Sequence, residues 1–428
     1  NPWANLFEGK STIELMNAMD FSAMTPGNHE FDFGVEVLNK RVQEARFPVL
    51  AANVRGLPGI KPCVIKEISG LKVAIIGLVT EDAPVTTHPK NVQGLIFSSA
   101  MDAAKTHIDA LRDKVDLIIV LSHLGFSADV QLAGTLKGID VIVGGHSHSR
   151  VEKPMRIGDT LIVQAWEHGK ALGVLDLTVQ DRKVINDDGR LIVIQPDKLQ
   201  PDPSAAEIVS RYQKQASAML NEVIGEAQVD LQGKNSRTQE TNLGNLLTDI
   251  LRKQTNSDIA LINGGGIRAD ILKGPVRMND IFSVLPFPNH PVVLKVSGKE
   301  LQDIFEYGLS DLGGTSGRFP QVSGIRITYK PANPAGRRIT DFRVGGVPLH
   351  PESWYTLATY DFLAAGGDGY FTLKNILATM DNKQADASQA NRVLLFDSGR
   401  AIRDMVTAFI KDNKLISASV EGRIRKEE

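Results

Sequence analysis

The sequence predicts a two-domain α/β protein, and three observations carry that prediction. The chain has 428 residues, more than one hydrophobic core usually serves. Through Gln180, apolar runs of strand length alternate with helical patterns, as expected of a sheet covered on both faces. Between Gln180 and Pro203 the alternation gives way to a turn-rich strand region closing on Pro196, Pro201 and Pro203, and a new set of elements follows.

In chain order, Ser11-Thr12-Ile13-Glu14 has the form of a capping box, with Leu15, Met16 and Met19 following at helical spacing. Phe21–Thr25 reads as a short strand, Gly34–Arg46 as an amphipathic helix and Phe47–Val54 as a strand. Leu71–Val79 is a near-continuous apolar strand, and Ser98–Lys114 a helix. Val115–Leu121 and Ile139–Val143 read as two more apolar strands with a helical pattern between them. Ser204–Glu222 reads as a lone bridging helix, followed by a helix at Leu243–Lys253, a strand at Ile259–Ile262 and several Gly-rich loops. These assignments place a first domain at 1–200, a linker helix and hinge at 201–223, and a second domain at 224–428.

Composition narrows the function. The formal net charge of −2 argues against a broad surface for a nucleic-acid polymer, which needs clustered Lys and Arg to neutralise phosphates. No apolar stretch reaches the roughly 20 residues of a membrane helix. The single cysteine, Cys63, excludes an internal disulfide and a thiolate-rich metal site.

The chemistry of the first half collects at strand ends. Phe21–Thr25 runs into Gly27-Asn28-His29-Glu30-Phe31-Asp32, Val115–Leu121 into Ser122-His123, and Ile139–Val143 into Gly144-Gly145-His146-Ser147-His148. Ligand sites of open α/β sheets form at the carboxyl ends of strands. Neutral imidazoles with an Asn oxygen and carboxylates suit borderline divalent ions. A pair of such ions roughly 3.5–4 Å apart can activate water and stabilise a leaving oxygen in phosphoryl displacement. His146 and His148 are expected to alternate in an extended segment, with the preceding glycines letting backbone approach the ions. A lone strand-end histidine is more often a solvated turn residue, but three clusters together favour metal. His88, His107, His168, His290 and His350 lack such a setting and are expected to be structural or exposed.

These motifs resemble the later motifs of calcineurin-like metallophosphoesterases, and Gly-Asn-His-Glu-Phe-Asp is similar to the 5′-nucleotidase branch in particular. The resemblance implies a four-layer α/β/β/α metallophosphoesterase domain joined by a helix to a C-terminal α+β nucleotide-binding domain. It implies two divalent metal ions (Zn, Mn, Co or similar), one bound by Asn28, His123 and His146, the other by His148. His29 would contact the phosphate and assist the departing oxygen, with Asp32 orienting its ring. The family pattern opens with an Asp-x-His motif and a Gly-Asp motif whose Asp bridges both metals. Neither occurs upstream of Asn28, where Asp20 is the sole aspartate. The first domain is therefore expected to be N-terminally incomplete, lacking some of the family's metal ligands.

The resemblance continues through Asn235-Ser236-Arg237, Glu240-Thr241-Asn242-Leu243-Gly244-Asn245, Asn263-Gly264-Gly265-Gly266-Ile267-Arg268, Leu285-Pro286-Phe287 and Asp361-Phe362 to Gly367-Asp368-Gly369. The Asn263 loop is not a Walker loop, because the Lys-Ser/Thr ending is missing. Arg237 and Arg268 are candidates for charge-assisted phosphate contacts, Phe287 and Phe362 for sandwiching a flat base, and Asp368 for accepting from ribose hydroxyls. Gly265 offers close backbone approach at a strand end, and by resemblance Asn263 touches the base edge. Each motif alone is more often core or turn. Together with the metal motifs they imply hydrolysis of a small-molecule nucleotide, most directly a nucleoside 5′-monophosphate. The same family includes enzymes acting on UDP-sugars, 2′,3′-cyclic nucleotides and 3′-nucleotides, and a catalytically silent nucleotide-binding protein is the alternative of a different class. Metals in one domain and base recognition in the other imply a hinged enzyme that works on closure. A periplasmic, cell-surface or extracellular location follows from the resemblance.

Overall fold

A computed structural model describes residues 2–380, 392–396 and 400–427; the terminal Asn1 and Glu428 of the expected domains lie outside it. The chain divides into two compact units. One is Phe7–Tyr212; the other joins Asn1–Leu6 to Gln213–Glu428. The helix Pro203–Leu220 carries the chain from one to the other.

The Phe7–Tyr212 unit is built on a six-stranded mixed sheet in the order Cys63–Ile68, Leu71–Val79, Leu117–His123, Val141–Val143, Thr160–Val163, Met155–Ile157. The four inner strands are parallel and the two edge strands antiparallel. Parallel strands need crossover connections; the helices Ala100–Leu111 and Phe126–Thr135 supply two of the three, and the segment carrying the edge strand Met155–Ile157 supplies the third. Side chains of successive strand residues point to opposite faces, and both faces of Leu71–Val79 are covered. Ala74, Ile76 and Leu78 pack with Ala104, Ile108 and Leu132 of the helices. Val73 and Ile75 face the other way, with Leu177, Val179 and Val184 of the hairpin Ala171–Gln180/Lys183–Val193. That two-sided burial is why the strand reads as continuously apolar. Asp116 and Asp140 interrupt the neighbouring apolar runs, and the strands begin just after them. Their carboxylates accept backbone N–H groups of Lys72 and Ile118 at 2.8 and 2.7 Å.

Three local expectations are corrected. The first long helix starts at Lys10 with Gly9 as its cap, so Ser11 lies buried inside it and the capping box does not form. Glu14 instead accepts from Tyr212 Oη at 2.8 Å and pairs with Arg211. Phe21–Thr25 and residues 47–53 form no continuous ladder but meet through isolated bridges, Met24 to Val49 and Leu50 to Lys61; only Val54, at the end of the expected strand, enters a short ladder, Val54–Arg55 with Ile96–Phe97.

The other unit contains a five-stranded sheet in the order Pro320–Ser323, Ile259–Asn263, Trp354–Tyr360, Pro291–Ser297, Val393–Phe396. A four-stranded and a three-stranded sheet accompany it. The helix Asn242–Thr255 packs its apolar side on the larger sheet, with Leu243, Leu247, Ile250 and Leu251 buried in one core. Thr241 caps it by accepting from Gly244 N at 3.0 Å, and Asn256 ends it in the left-handed region at φ 49°, the usual chemistry of helix ends. Strands Ile259–Asn263 and Trp354–Tyr360 are parallel neighbours, so the residues that follow them emerge at the same end of the sheet.

Candidate active site

In the Phe7–Tyr212 unit, His123 is the last residue of Leu117–His123, paired in register with Val79. The turn Asn28–Phe31 is anchored beneath by Phe31, fully buried with its ring 5.5 Å from that of Phe97. Gly27 N donates to the Glu30 carboxylate at 2.5 Å, closing the turn. His29 Nδ1 lies 3.0 Å from Asp32 Oδ2, and the other carboxylate oxygen of Asp32 accepts from Thr87 Oγ1 at 3.0 Å. Asp32 is thereby fixed from two sides and sets the orientation of the His29 ring.

Two glycines border His123. A Cβ on Gly27 would lie 2.5 Å from His123 Cε1 and Nε2, and one on Gly145 would lie 3.2 Å from Nδ1. The His146 ring is 5.0 Å from the His123 ring. Burial, reinforced by the neighbouring His146, His29 and His148, pushes the His123 pKa down to about 3, so its ring is neutral and available as a ligand. His146 and His148 depart from the extended segment expected of them: their φ values are 70° and 54°, both left-handed. Such backbone at non-glycine residues is uncommon and clusters at functional sites.

The donor set fits a divalent cation on one observation above the rest. Asn28 is 3% exposed, and its side-chain carbonyl oxygen is buried without a hydrogen-bond partner. Native structures rarely leave such an acceptor unused, and a neighbouring imidazole pair makes it a natural metal donor. His168, expected to be structural or exposed, is 67% exposed and joins a cluster: the donor atoms of His148, Glu167 and His168 all lie within 4.8 Å of one another. Glu167 carried no motif in the sequence.

In the other unit, Asn263 ends the strand Ile259–Asn263 and is 2% exposed. Its amide nitrogen donates to Asp368, and its oxygen accepts from Tyr360 Oη. Both ends of the amide expected at a base edge are thus engaged within the protein, holding Asp368. Asp368 sits in the left-handed region at φ 51°. Burial raises its pKa, while the Asn263 hydrogen bond and then the guanidinium groups of Arg237, Arg318 and Arg268 oppose the rise. Three arginines around one half-buried carboxylate leave an excess of positive charge, suited to an anion. Arg318 was not singled out by the sequence, since the loop Thr315-Ser316-Gly317-Arg318 matches no motif. Its guanidinium lies 4.7 Å from the Tyr307 ring centroid, and Tyr370 Oη donates to its carbonyl at 2.5 Å.

Glycines make this crowding possible. A Cβ on Gly265 would meet Gly317 Cα at 2.6 Å and Asp368 Oδ2 at 3.3 Å. Phe362 is half-buried, stacked on Tyr360 with centroids 6.4 Å apart, and lies against Gly367. Phe287 is half-buried in the loop before Pro291–Ser297. Pro291 pairs with Tyr360, and His290 and Asp361 exchange hydrogen bonds at 2.9 and 3.1 Å. The two phenylalanines therefore flank the same end of one antiparallel strand pair.

Residues 3–150 match the family model for calcineurin-like phosphoesterase, and residues 223–375 that for the 5′-nucleotidase C-terminal domain. A 5′-nucleotidase of Diplobatis ommata is 31% identical, over 99% of this chain and 79% of its own length. A snake venom 5′-nucleotidase of Naja atra is 33% identical, over 90% of this chain and 82% of its own. A trifunctional nucleotide phosphoesterase protein of Bacillus subtilis is 31% identical over 98% of this chain, which spans 31% of that protein's length. Among solved structures, a 5′-nucleotidase precursor from Thermus thermophilus superimposes with a TM-score of 0.88 at 34% identity, covering 99% of this chain and 87% of the other. With both family models matched and 5′-nucleotidase relatives at 31% and 33% identity covered to 79% and 82% of their own length, this chain belongs to the 5′-nucleotidase family of metal-dependent, calcineurin-like phosphoric ester hydrolases.

Proposed function

We propose that the protein hydrolyses nucleoside 5′-monophosphates to nucleoside and phosphate, with two divalent ions of the Zn, Mn or Co class. The observation that carries this reading is the buried, hydrogen-bond-free Asn28 oxygen on the same rim as the His123–His146 pair and the His29–Asp32 pair. Asn28, His123 and His146 would hold one ion, and His148 would contribute to the other. When bound, these ions supply Lewis-acid polarisation of the phosphoryl group and activation of the attacking water.

The chain's own groups do the rest. Asp32 holds the Nδ1 side of His29, so that the opposite side of that imidazole can contact the phosphate and deliver a proton to the departing 5′-oxygen. Arg237 and Arg268, joined by Arg318, offer charge-assisted donors to phosphate oxygens. Asp368 accepts from ribose hydroxyls, and Asn263 positions it. Phe287 and Phe362 stack on the base, and Gly265 admits the nucleotide close to the backbone. The snake venom relative supports a location outside the cytoplasm, at the cell surface, in the periplasm or beyond. No helix among the described residues is long and apolar enough to cross a membrane.

The test is phosphate release from AMP, UMP, a 2′,3′-cyclic nucleotide, a 3′-nucleotide and a UDP-sugar, with and without chelator and added Mn or Zn. The expected result is chelator-sensitive release, fastest from a 5′-monophosphate and lost in His29→Ala. Turnover indifferent to chelation would contradict the metal assignment. Tight AMP binding without turnover under every metal condition would support a silent nucleotide-binding protein instead.

A further inference from the structure

The segment after the Gly-Gly-His-Ser-His motif folds back on a second strand end. Arg150 and Ala165 form an antiparallel bridge. Trp166 N donates to Ser149 O at 3.1 Å, and Val151 N donates to Gln164 O at 3.2 Å. Continued by two residues, this register sets Glu167 opposite His148, and His148 Nδ1 lies 3.3 Å from Glu167 Oε2. The other carboxylate oxygen of Glu167 is held by Lys170 Nζ at 2.5 Å. Lys170 is itself fixed over the Trp166 ring, 4.7 Å from its centroid, with Arg150 at 4.9 Å from the same ring.

We propose that Glu167 is a positioning residue for the metal centre, accepting from His148 Nδ1–H and so presenting the Nε2 lone pair of that imidazole to a divalent ion. The proposal rests on the assignment of His148 as a metal ligand. Ligating histidines commonly give their second nitrogen to a carboxylate, which fixes both tautomer and ring orientation. His148 has particular need of this support, because its backbone is left-handed and its side chain is 47% exposed. Among the described residues, Glu167 is the one carboxylate that shares a cluster of possible metal donors with His148.

Direct ligation of an ion by His148, Glu167 and His168 together is the competing arrangement. Charge speaks against it. The Lys170 ammonium already occupies one oxygen of the only carboxylate in the trio, and a metal cation beside it would face like charge at short range. His168 Nδ1 is 3.8 Å from Glu167 Oε2, and its ring packs edge-on to His148 with centroids 5.4 Å apart. His168 thus shields the pair and is not required for it.

The experiment is a titration of metal-free protein with Zn²⁺ against a chromophoric chelator, with ions per chain counted by elemental analysis. A parallel Co²⁺ titration follows the ligand-field bands. Wild type, His148→Ala, Glu167→Gln and His168→Ala are compared, and melting curves of the metal-free proteins separate loss of affinity from loss of fold. Expected are fewer bound ions or a severe loss of affinity in His148→Ala. Glu167→Gln should bind the same number of ions with affinity reduced about 10–100-fold and altered Co²⁺ bands, and His168→Ala should behave as wild type. Wild-type affinity and bands in Glu167→Gln, with His148→Ala impaired, would overturn the positioning role while leaving the His148 assignment intact. One ion fewer in both Glu167→Gln and His168→Ala would overturn it in favour of direct ligation. Unchanged uptake in His148→Ala would remove the His148 assignment and the proposal with it.

Discussion

Replacing Gly27 by alanine adds one methyl group at the place where the candidate metal centre has least room. The backbone of Gly27, at φ −96° and ψ −176°, is open to any residue, so alanine brings no conformational penalty there. The new Cβ would nevertheless sit 2.5 Å from His123 Cε1 and Nε2 and 2.8 Å from Cδ2. Carbon contacts are comfortable at about 3.5–4.0 Å, so the ring must retreat by roughly 1 Å. Gly145 borders the same ring, and a Cβ there would lie 3.2 Å from Nδ1. Overpacking of this kind costs about 1–3 kcal/mol of stability. Misplacing a catalytic group by about 1 Å can cost on the order of 100-fold in rate, equivalent to about 2.7 kcal/mol of transition-state stabilisation. We expect Gly27→Ala to lower kcat/KM by that order and to weaken metal binding, while thermal unfolding remains cooperative. Phosphate release, chelator competition and melting curves measure the three quantities. A variant with kcat/KM within about twofold of wild type and unchanged metal affinity would refute the placement of His123 as a tightly seated ligand.

Asp129 supplies a prediction in pH. Burial pushes its pKa up to about 6 against an opposing hydrogen bond from Ser122. The folded state therefore holds a proton that the unfolded chain releases, and stability falls as pH rises from about 4 to above 6. Asp129→Asn should remove that dependence and gain on the order of 1–3 kcal/mol at pH 8 relative to pH 4; a wild-type-to-variant difference constant with pH in denaturant unfolding would contradict it. Asp368→Asn should raise KM for nucleotides by about tenfold or more with a smaller change in kcat, as expected when uniform binding is lost, and steady-state kinetics would show the reverse if Asp368 served the chemical step. Phe362→Leu should weaken nucleoside binding by roughly 1–3 kcal/mol, read by calorimetry with adenosine, and unchanged affinity would remove the stacking role. Metal should raise the melting temperature, by about 2.7 kcal/mol of stabilisation at a hundredfold excess over Kd, and a melting curve unaffected by metal would argue against a site in the folded state.

What the sequence disclosed and what it withheld follow physical lines. Leu71–Val79 was legible with its bounds because a strand buried on both faces must be apolar throughout. His123 was legible as a strand-end residue for the same reason. Ser11 misled because a capping box is a local pattern, whereas Glu14 is claimed by Arg211 and Tyr212, nearly two hundred residues later in the same unit. Phe47–Val54 has strand composition, yet it pairs through isolated bridges until Val54 enters a two-residue ladder, which composition does not distinguish from a full strand. The left-handed backbone of His146 and His148 could not be read from residue types that normally avoid it. Glu167 and Arg318 were missed because neither sits in a motif. Glu167 reaches His148 through strand register, and Arg318 comes near Asp368 through a loop whose Gly317 packs on Gly265. Asn263 was found by its motif, but its engagement with Asp368 and Tyr360 depends on contacts roughly a hundred residues away in the chain.

Convergence of Asn28, His123 and His146 on one metal ion is tested most directly by anomalous diffraction. Crystals grown with Mn²⁺ or Zn²⁺ and measured on both sides of the metal's absorption edge would locate each ion without recourse to activity. The expected result is an anomalous peak bonded to Asn28 Oδ1 and to one nitrogen each of His123 and His146, at distances of about 2.0–2.2 Å. A fully folded protein whose anomalous peaks lie elsewhere, with the Asn28 oxygen bonded to water or to protein, would contradict it.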